Sequence, residues 1–370
     1  MKKIISKLII ALVFVLTIVL FLIRIKLPIN QKVKTSSFFA LDTSISISIY
    51  DQLDNVDEIL NSTKELVLNF ENKLSKTIKN SDVNNINNEN KGDYIEISLD
   101  TAFIFKLAKE FYDLTDNRFD ISIGGLVDYW TNLRKENIKP NENEITRLLQ
   151  TTHHMDYKLY YNDGKMNDFD SMFTGITIDG MYNYMEDIDN LKNNYEYKYY
   201  IKVPNNNQSY DLGAIAKGYI ADYIKYYLKE NGIHSAIINL GGNVLCMGDK
   251  QGKDFVVGIK KPFYEDVIIN TINVKDESVT TSGIYERFIK YDNDERVYHH
   301  IIDNNIGYPT DYDLLSATII TPLSIFGDCI STVCILYSSD DLDLVFAKIK
   351  SKYSIDFDTI FIDKEYNIIS

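Results

Sequence analysis

Asp328 and Thr332 stand four residues apart in Gly327-Asp328-Cys329-Ile330-Ser331-Thr332. On a helix that spacing puts a carboxylate and a hydroxyl on one face, where their oxygens reach a common point. Oxygen ligands suit a hard cation. Mg²⁺ is typically held by one or two carboxylates plus a substrate's phosphates, so this pair with one backbone carbonyl is a candidate site. Taken alone, the spacing is common and an ordinary helix face explains it equally well. A second stretch, Asp211-Leu212-Gly213-Ala214-Ile215-Ala216-Lys217-Gly218, sets an acidic residue before small ones that open an apolar helix. Asp211 is expected to cap that helix, and its first amides, with Lys217 one turn in, offer positive charge to a phosphate. It is neither a Walker A loop nor a GxGxxG, and in isolation it reads as a capped amphipathic helix. Asn239-Leu240-Gly241-Gly242-Asn243 is a tight turn or a close backbone approach. Thr280 to Arg287 and Tyr298-His299-His300-Ile301-Ile302-Asp303 gather hydroxyls, an arginine and two of only five histidines. A histidine between an aromatic and an Ile-Ile run also suits a satisfied strand position.

These residues need elements to hold them. Apolar spacing predicts helices over Val56 to Leu74 and Thr101 to Leu114, and a half-buried strand over Ser44 to Tyr50 with Ile45, Ile47 and Ile49 inward. Further strands are expected at Ala236 to Leu240, Asp254 to Ile259, Val267 to Val274 and Leu315 to Thr321, then a helix around Asp328 to Leu336. The Asn-rich Asn80 to Asn90 and the Tyr/Asn/Asp-rich Tyr160 to Asn206 show no clear period and are expected as surface loops or an insertion. The pattern is α+β, with no solenoid repeat.

With 370 residues, 45% of them hydrophobic, the chain can bury a sizeable core. Thirty-nine Lys+Arg against fifty-three Asp+Glu give a net charge of −14, the wrong sign for binding a phosphate backbone, which argues against a nucleic-acid partner. Three cysteines without a CxxC pair supply neither a disulfide framework nor a zinc site, and Cys329 and Cys334 are expected as buried packing thiols. Lys2, Lys3 and Lys7 precede an apolar run from Leu8 to Ile23, broken only by Thr17 and followed by Arg24, Lys26 and Pro28. Residues 1–30 are therefore expected to form an uncleaved signal-anchor in the cell membrane, with the body, 31–370, on the extracytoplasmic side.

Taken in order, these segments resemble the FAD:protein FMN transferase (ApbE-like) family. Phe119-Asp120-Ile121-Ser122-Ile123-Gly124, running on to Trp130, is similar to its flavin-contacting segment, and Asp211 to Asp222 to its DLGxxAKG helix. Asn239 to Gly242 is similar to its NxGG turn, Thr281-Ser282-Gly283 and His300 to Asp303 to its TSG and HIID elements, and Asp328 to Thr332 to its DxxST motif. Leu41 and Asp42 stand where the family usually has Met and Gly, Asn243 replaces an Asp, and Gly125 and Asn304 replace prolines. The resemblance implies an ApbE-like fold of mixed sheets with packed helices. It implies a Mg²⁺ held by Asp328, Thr332 and the Ala214 carbonyl, with Leu41, Thr77, Arg118, Phe119, Asp120, Asp211, Lys217 and Ile302 around FAD. The implied reaction moves FMN from FAD to a Ser or Thr hydroxyl of an exported or membrane redox protein and releases AMP. Such a hydroxyl needs a base, and His300, with an ordinary pKa near 6.5, is the candidate, His299 the alternative. The same residues would also serve an FAD pyrophosphatase or a membrane-anchored flavin carrier without turnover.

Overall fold

The computed structural model describes residues 33–89, 92–173, 184–194, 196–204, 208–292 and 294–369. The expected anchor at 1–30 lies outside them, and among the described residues no helix is long and apolar enough to cross a membrane.

Eight strands form the main sheet and succeed one another in chain order: Lys34–Ala40, Thr43–Ile49, Ala236–Leu240, Asn243–Met247, Ser278–Gly283, Leu314–Thr321, Asp358–Asp363 and Ile368–Ile369. Every pairing is antiparallel. Ile45, Ile47 and Ile49 are each 0% exposed, as the period of two requires, while the serines between them face the other side. The helix Val56–Leu74 packs on the first hairpin, and the helices Ala216–Glu230 and Ser324–Ile335 pack on each other and on the sheet's middle strands. A second apolar cluster gathers Leu126, Leu133, Tyr298 and Ile302 around Trp130.

Two stretches expected as surface loops or an insertion contain ordered elements. Asp82–Asn88 is a helix, because Ser81 Oγ accepts the Asn84 N–H as an N-cap and Val83 and Ile86, three apart, are buried. Within 160–206, the strands Lys158–Asn162, Met166–Asp168 and Lys198–Lys202 join Tyr94–Ile97 in a four-stranded sheet, and Tyr184–Asn194 is a helix. Buried Leu159, Tyr199 and Ile201 supply the apolar face, and aromatic and β-branched residues of this kind favour a half-buried strand.

The two central helices cap one another. Asp222 accepts the Ser324 N–H at Oδ1 and the Ile325 N–H at Oδ2, both at 2.9 Å, which starts that helix a turn before the expected Asp328. In return, Asp328 Oδ2 accepts the Gly218 N–H at 2.9 Å. Each carboxylate thus meets amides that a helix start would leave unpaired, at the positive end of the partner's dipole. Burial nevertheless pushes the Asp222 carboxyl up to about 6. The approach depends on Gly218, where a Cβ would lie 2.5 Å from Ile325 Cα. Gly218→Ala is expected to cost about 1–3 kcal/mol through overpacking, read as a lower midpoint in thermal unfolding. The cysteines 246, 329 and 334 are buried free thiols.

Candidate functional site

At one end of the main sheet two turns and the end of a strand come together. Ala40 pairs with Thr43, so Leu41 and Asp42 form a two-residue hairpin tip with φ of 54° and 56°. Such turns need positive φ at both positions, which costs a leucine about 1–2 kcal/mol. The tip is held by Glu71 Oε1, which accepts the Leu41 N–H at 2.7 Å, and by Arg287 Nη2, which donates to the Asp42 carbonyl at 3.2 Å. Beside it sits the Gly241-Gly242 turn. Gly241 has φ 65°, and a Cβ there would come within 1.9 Å of Thr43 Oγ1, so the glycine is required twice over. Thr281 N–H donates to the Gly242 carbonyl, which brings the Thr281-Ser282-Gly283 end of the neighbouring strand to the same corner.

The segment Phe119 to Gly124 lies along Ser209 to Asp211. Asp211 N–H donates to the Ile121 carbonyl and Gly124 N–H to the Ser209 carbonyl, each at 2.8 Å. The Asn-rich helix contributes here, since the Asn87 side-chain amide brackets Tyr210, accepting its N–H at 2.7 Å and donating to its carbonyl at 3.0 Å. Asp120 is 6% exposed and fully engaged: Oδ1 takes the Ser122 N–H and hydroxyl, and Oδ2 takes the His153 N–H and the Asn304 side-chain amide. It ties the segment that follows the histidines to this loop. Phe119 and Ile302 are each 2% exposed in apolar clusters, so a ligand would meet their backbone. Trp130 is likewise buried, donating to the Gly307 carbonyl at 2.8 Å. Arg118 reaches Tyr312 and the Leu336 carbonyl at the C-terminal end of the Ser324–Ile335 helix, with its guanidinium 4.4 Å from the Tyr337 ring centre. Thr77 is exposed, 3.0 Å from the Ser75 hydroxyl.

The charged corner follows directly. The helix of the glycine-alanine stretch begins at Ala216, not next to Asp211, because Ile215 and Ala216 both donate back to Leu212. Asp211 is therefore not its cap. Its Oδ1 accepts the Gly213 N–H at 2.7 Å and its Oδ2 meets Lys76 Nζ at 2.8 Å. Burial opposes its charge, but the Lys76 ammonium outweighs that and holds the carboxyl below the usual range. Lys217 Nζ donates to the Gly213 carbonyl at 3.0 Å and lies 4.0 Å from Asp328 Oδ1. Because Gly218 N–H goes to Asp328, the Ala214 carbonyl four residues back receives no hydrogen bond among the described ones. Thr332 is the only described residue of Ser324–Ile335 that is not buried, and its Oγ1 is 3.4 Å from the Ser282 hydroxyl. Among the described residues no three His, Cys, Asp or Glu gather at one point. A cation here would rest on one carboxylate with hydroxyl and carbonyl oxygens, all hard donors.

The two histidines differ sharply. His299 is 0% exposed, its Nε2 2.8 Å from the Thr310 carbonyl and its Nδ1 accepting the Ile301 N–H, so both nitrogens are used. Burial pushes its pKa down to about 4. His300 is partly exposed, and its Nδ1 lies 3.2 Å from the Glu286 carbonyl, next to the Arg287 that grips the hairpin tip. A carbonyl only accepts, so Nδ1 carries the proton and Nε2 keeps its lone pair. Burial first, then His299, Arg287, Arg134 and Lys217, push His300 down to about 3. Its ring is a neutral base in the field of these cations, of which Lys217 also faces Asp328.

The ApbE family model matches residues 41–353. The chain belongs to the ApbE family. It is 39% identical over 160 residues to the FAD:protein FMN transferase of Klebsiella pneumoniae (strain 342), and 39% identical over 136 residues to the protein of the same name in Treponema pallidum (strain Nichols). Those alignments cover 43% and 34% of this chain, and the chain spans only 47% and 36% of the relatives' own lengths. The crystal structure of the ApbE protein from Thermotoga maritima superposes with a TM-score of 0.72 at 26% identity, over 91% of this chain and 96% of that one. The expected α+β fold of mixed sheets and packed helices is thus that of the ApbE family. Three residues that build this ApbE corner carried no local signal: Lys76, Glu71 and Asn87 act on partners far along the chain. Only Gly218, inside a helix of mostly bulky residues, hints at the close approach behind the cross-capping.

Proposed function

We propose that the chain is an FAD:protein FMN transferase whose chemistry draws on Lys217, Asp328, Thr332 and His300. The single observation that carries this reading is the diverted Gly218 amide: it binds Asp328 and leaves the Ala214 carbonyl with no hydrogen bond among the described residues, an opening for a cation and a pyrophosphate in a chain of net charge −14. Asp328, the Thr332 hydroxyl and the Ala214 carbonyl would hold Mg²⁺, which when bound supplies Lewis acidity to a pyrophosphate oxygen. Lys217 adds a positive charge at the phosphates, and the amides at the start of its helix add partial ones. His300 Nε2 takes the proton of an acceptor Ser or Thr hydroxyl as its oxygen attacks the FMN-side phosphorus. The bond to the AMP phosphate breaks and AMP leaves with the electron pair. The names of the relatives support this reading.

The acceptor in this reading is an exported or membrane redox protein. Lys2, Lys3 and Lys7 before the apolar run support anchoring in the cell membrane with the body outside. The test is direct: with FAD and an acceptor, AMP release should require added Mg²⁺ and stop with EDTA, whereas release indifferent to EDTA would remove the metal from the reading.

A further inference from the structure

Lys76 is the point at which three separate parts of the chain meet. Its ammonium lies 2.8 Å from Asp211 Oδ2 and 2.8 Å from Asp128 Oδ1, and it donates to the Gly124 carbonyl at 3.3 Å. The side chain keeps only 15% exposure. Its own backbone is fixed as well, since the Asn84 side chain donates to the Lys76 carbonyl at 3.0 Å. Burial would strip the proton from this amine, but the Asp211 and Asp128 carboxylates outweigh it and keep the group charged.

From Lys76 the contacts run without a gap to the proposed phosphate site. Asp211 Oδ1 holds the Gly213 N–H, the Gly213 carbonyl holds Lys217 Nζ, and Lys217 faces Asp328. The carbonyl of Ala214 is the next one along that turn. Nothing in this chain of contacts makes Lys76 a partner of the substrate, because its ammonium already faces three protein oxygens. We infer that Lys76 is a positioning residue for FAD: it fixes the Asp211-to-Lys217 turn in the geometry that presents Lys217 and the Ala214 carbonyl to the pyrophosphate. This rests on the transferase reading above. Without the ammonium, Asp211 and Asp128 face each other as like charges, and the turn loses the anchor that sets its register against Gly124.

The distinguishing readout is the split between binding and turnover. In the full-length protein with FAD and Mg²⁺, Lys76→Met is expected to raise the KM for FAD by about 10- to 100-fold, the usual cost of losing a group that orients a site's ligands. The turnover at saturating FAD should change far less. Lys76→Arg, whose fork can bridge two carboxylates, should recover most of the affinity. Asp128→Asn, which removes an exposed partner and leaves the Lys76–Asp211 pair, should keep the wild-type KM. Unchanged KM in a folded Lys76→Met protein overturns the inference, as does a loss confined to kcat. Equal KM losses in Lys76→Arg and Asp128→Asn would also overturn it, since general loosening of the site then explains the effect; these two conservative variants carry the test if the methionine protein does not fold. A wild-type protein that releases no AMP from FAD would instead refute the transferase reading, and this inference with it.

Discussion

Asp328→Asn is expected to lower FAD turnover by about 10³-fold, the scale on which loss of one preorganised electrostatic group acts at a reacting centre. Asparagine keeps the shape, and its carbonyl oxygen can still accept the Gly218 N–H, so the cross-capped helices should hold. What disappears is the negative charge 4.0 Å from Lys217 and the only carboxylate in the proposed cation site. The measurement is AMP release against Mg²⁺ concentration, paired with thermal unfolding. A variant with wild-type rates and wild-type Mg²⁺ dependence would contradict the assignment. Asp328→Ala should be equally inactive and less stable by about 1 kcal/mol, because the Ala216–Glu230 helix also loses its cap.

His300→Asn is expected to slow transfer by about 10²–10⁴-fold while FAD binding stays near wild type, which is the signature of a lost general base. His299 offers no substitute, since its two nitrogens serve Thr310 and Ile301. The pH dependence separates this base from an ordinary histidine. A pKa lowered to about 3 means the basic form persists as pH falls, so kcat/KM, which reports the free enzyme, should show no His300 limb near 6.5. Unaltered transfer in His300→Asn would remove the residue from the mechanism.

Much of the frame was legible because its signals are local. The helix Val56–Leu74 and the strand Ala236–Leu240 have the very bounds that apolar spacing predicts, and the isoleucines of Thr43–Ile49 alternate as read. The first strand, Lys34–Ala40, left no such trace: its polar Lys-Thr-Ser-Ser start and adjacent Phe38 and Phe39 do not alternate, and only pairing with Thr43–Ile49 makes it a strand. The helix Asp82–Asn88 was hidden by asparagines, which disfavour helices, and two buried residues plus a serine cap were enough to override them. At the site, residue types and order announced Asp328, Thr332, Asp211 and Lys217. They did not announce how Asp211 is used. A helix-cap reading looks only a few residues ahead, whereas its actual partner, Lys76, arrives through tertiary packing.

In the proposed reaction a polypeptide hydroxyl, and not water, receives the FMN. The most direct measurement incubates the full-length protein with FAD, Mg²⁺ and an exported redox protein, then denatures the mixture and reads the acceptor's mass and flavin fluorescence alongside AMP. The account predicts an acceptor heavier by one FMN on a Ser or Thr, with AMP released in equal amount. AMP accompanied only by free FMN, with no flavin surviving denaturation on any acceptor, would contradict it and show hydrolysis at the same site.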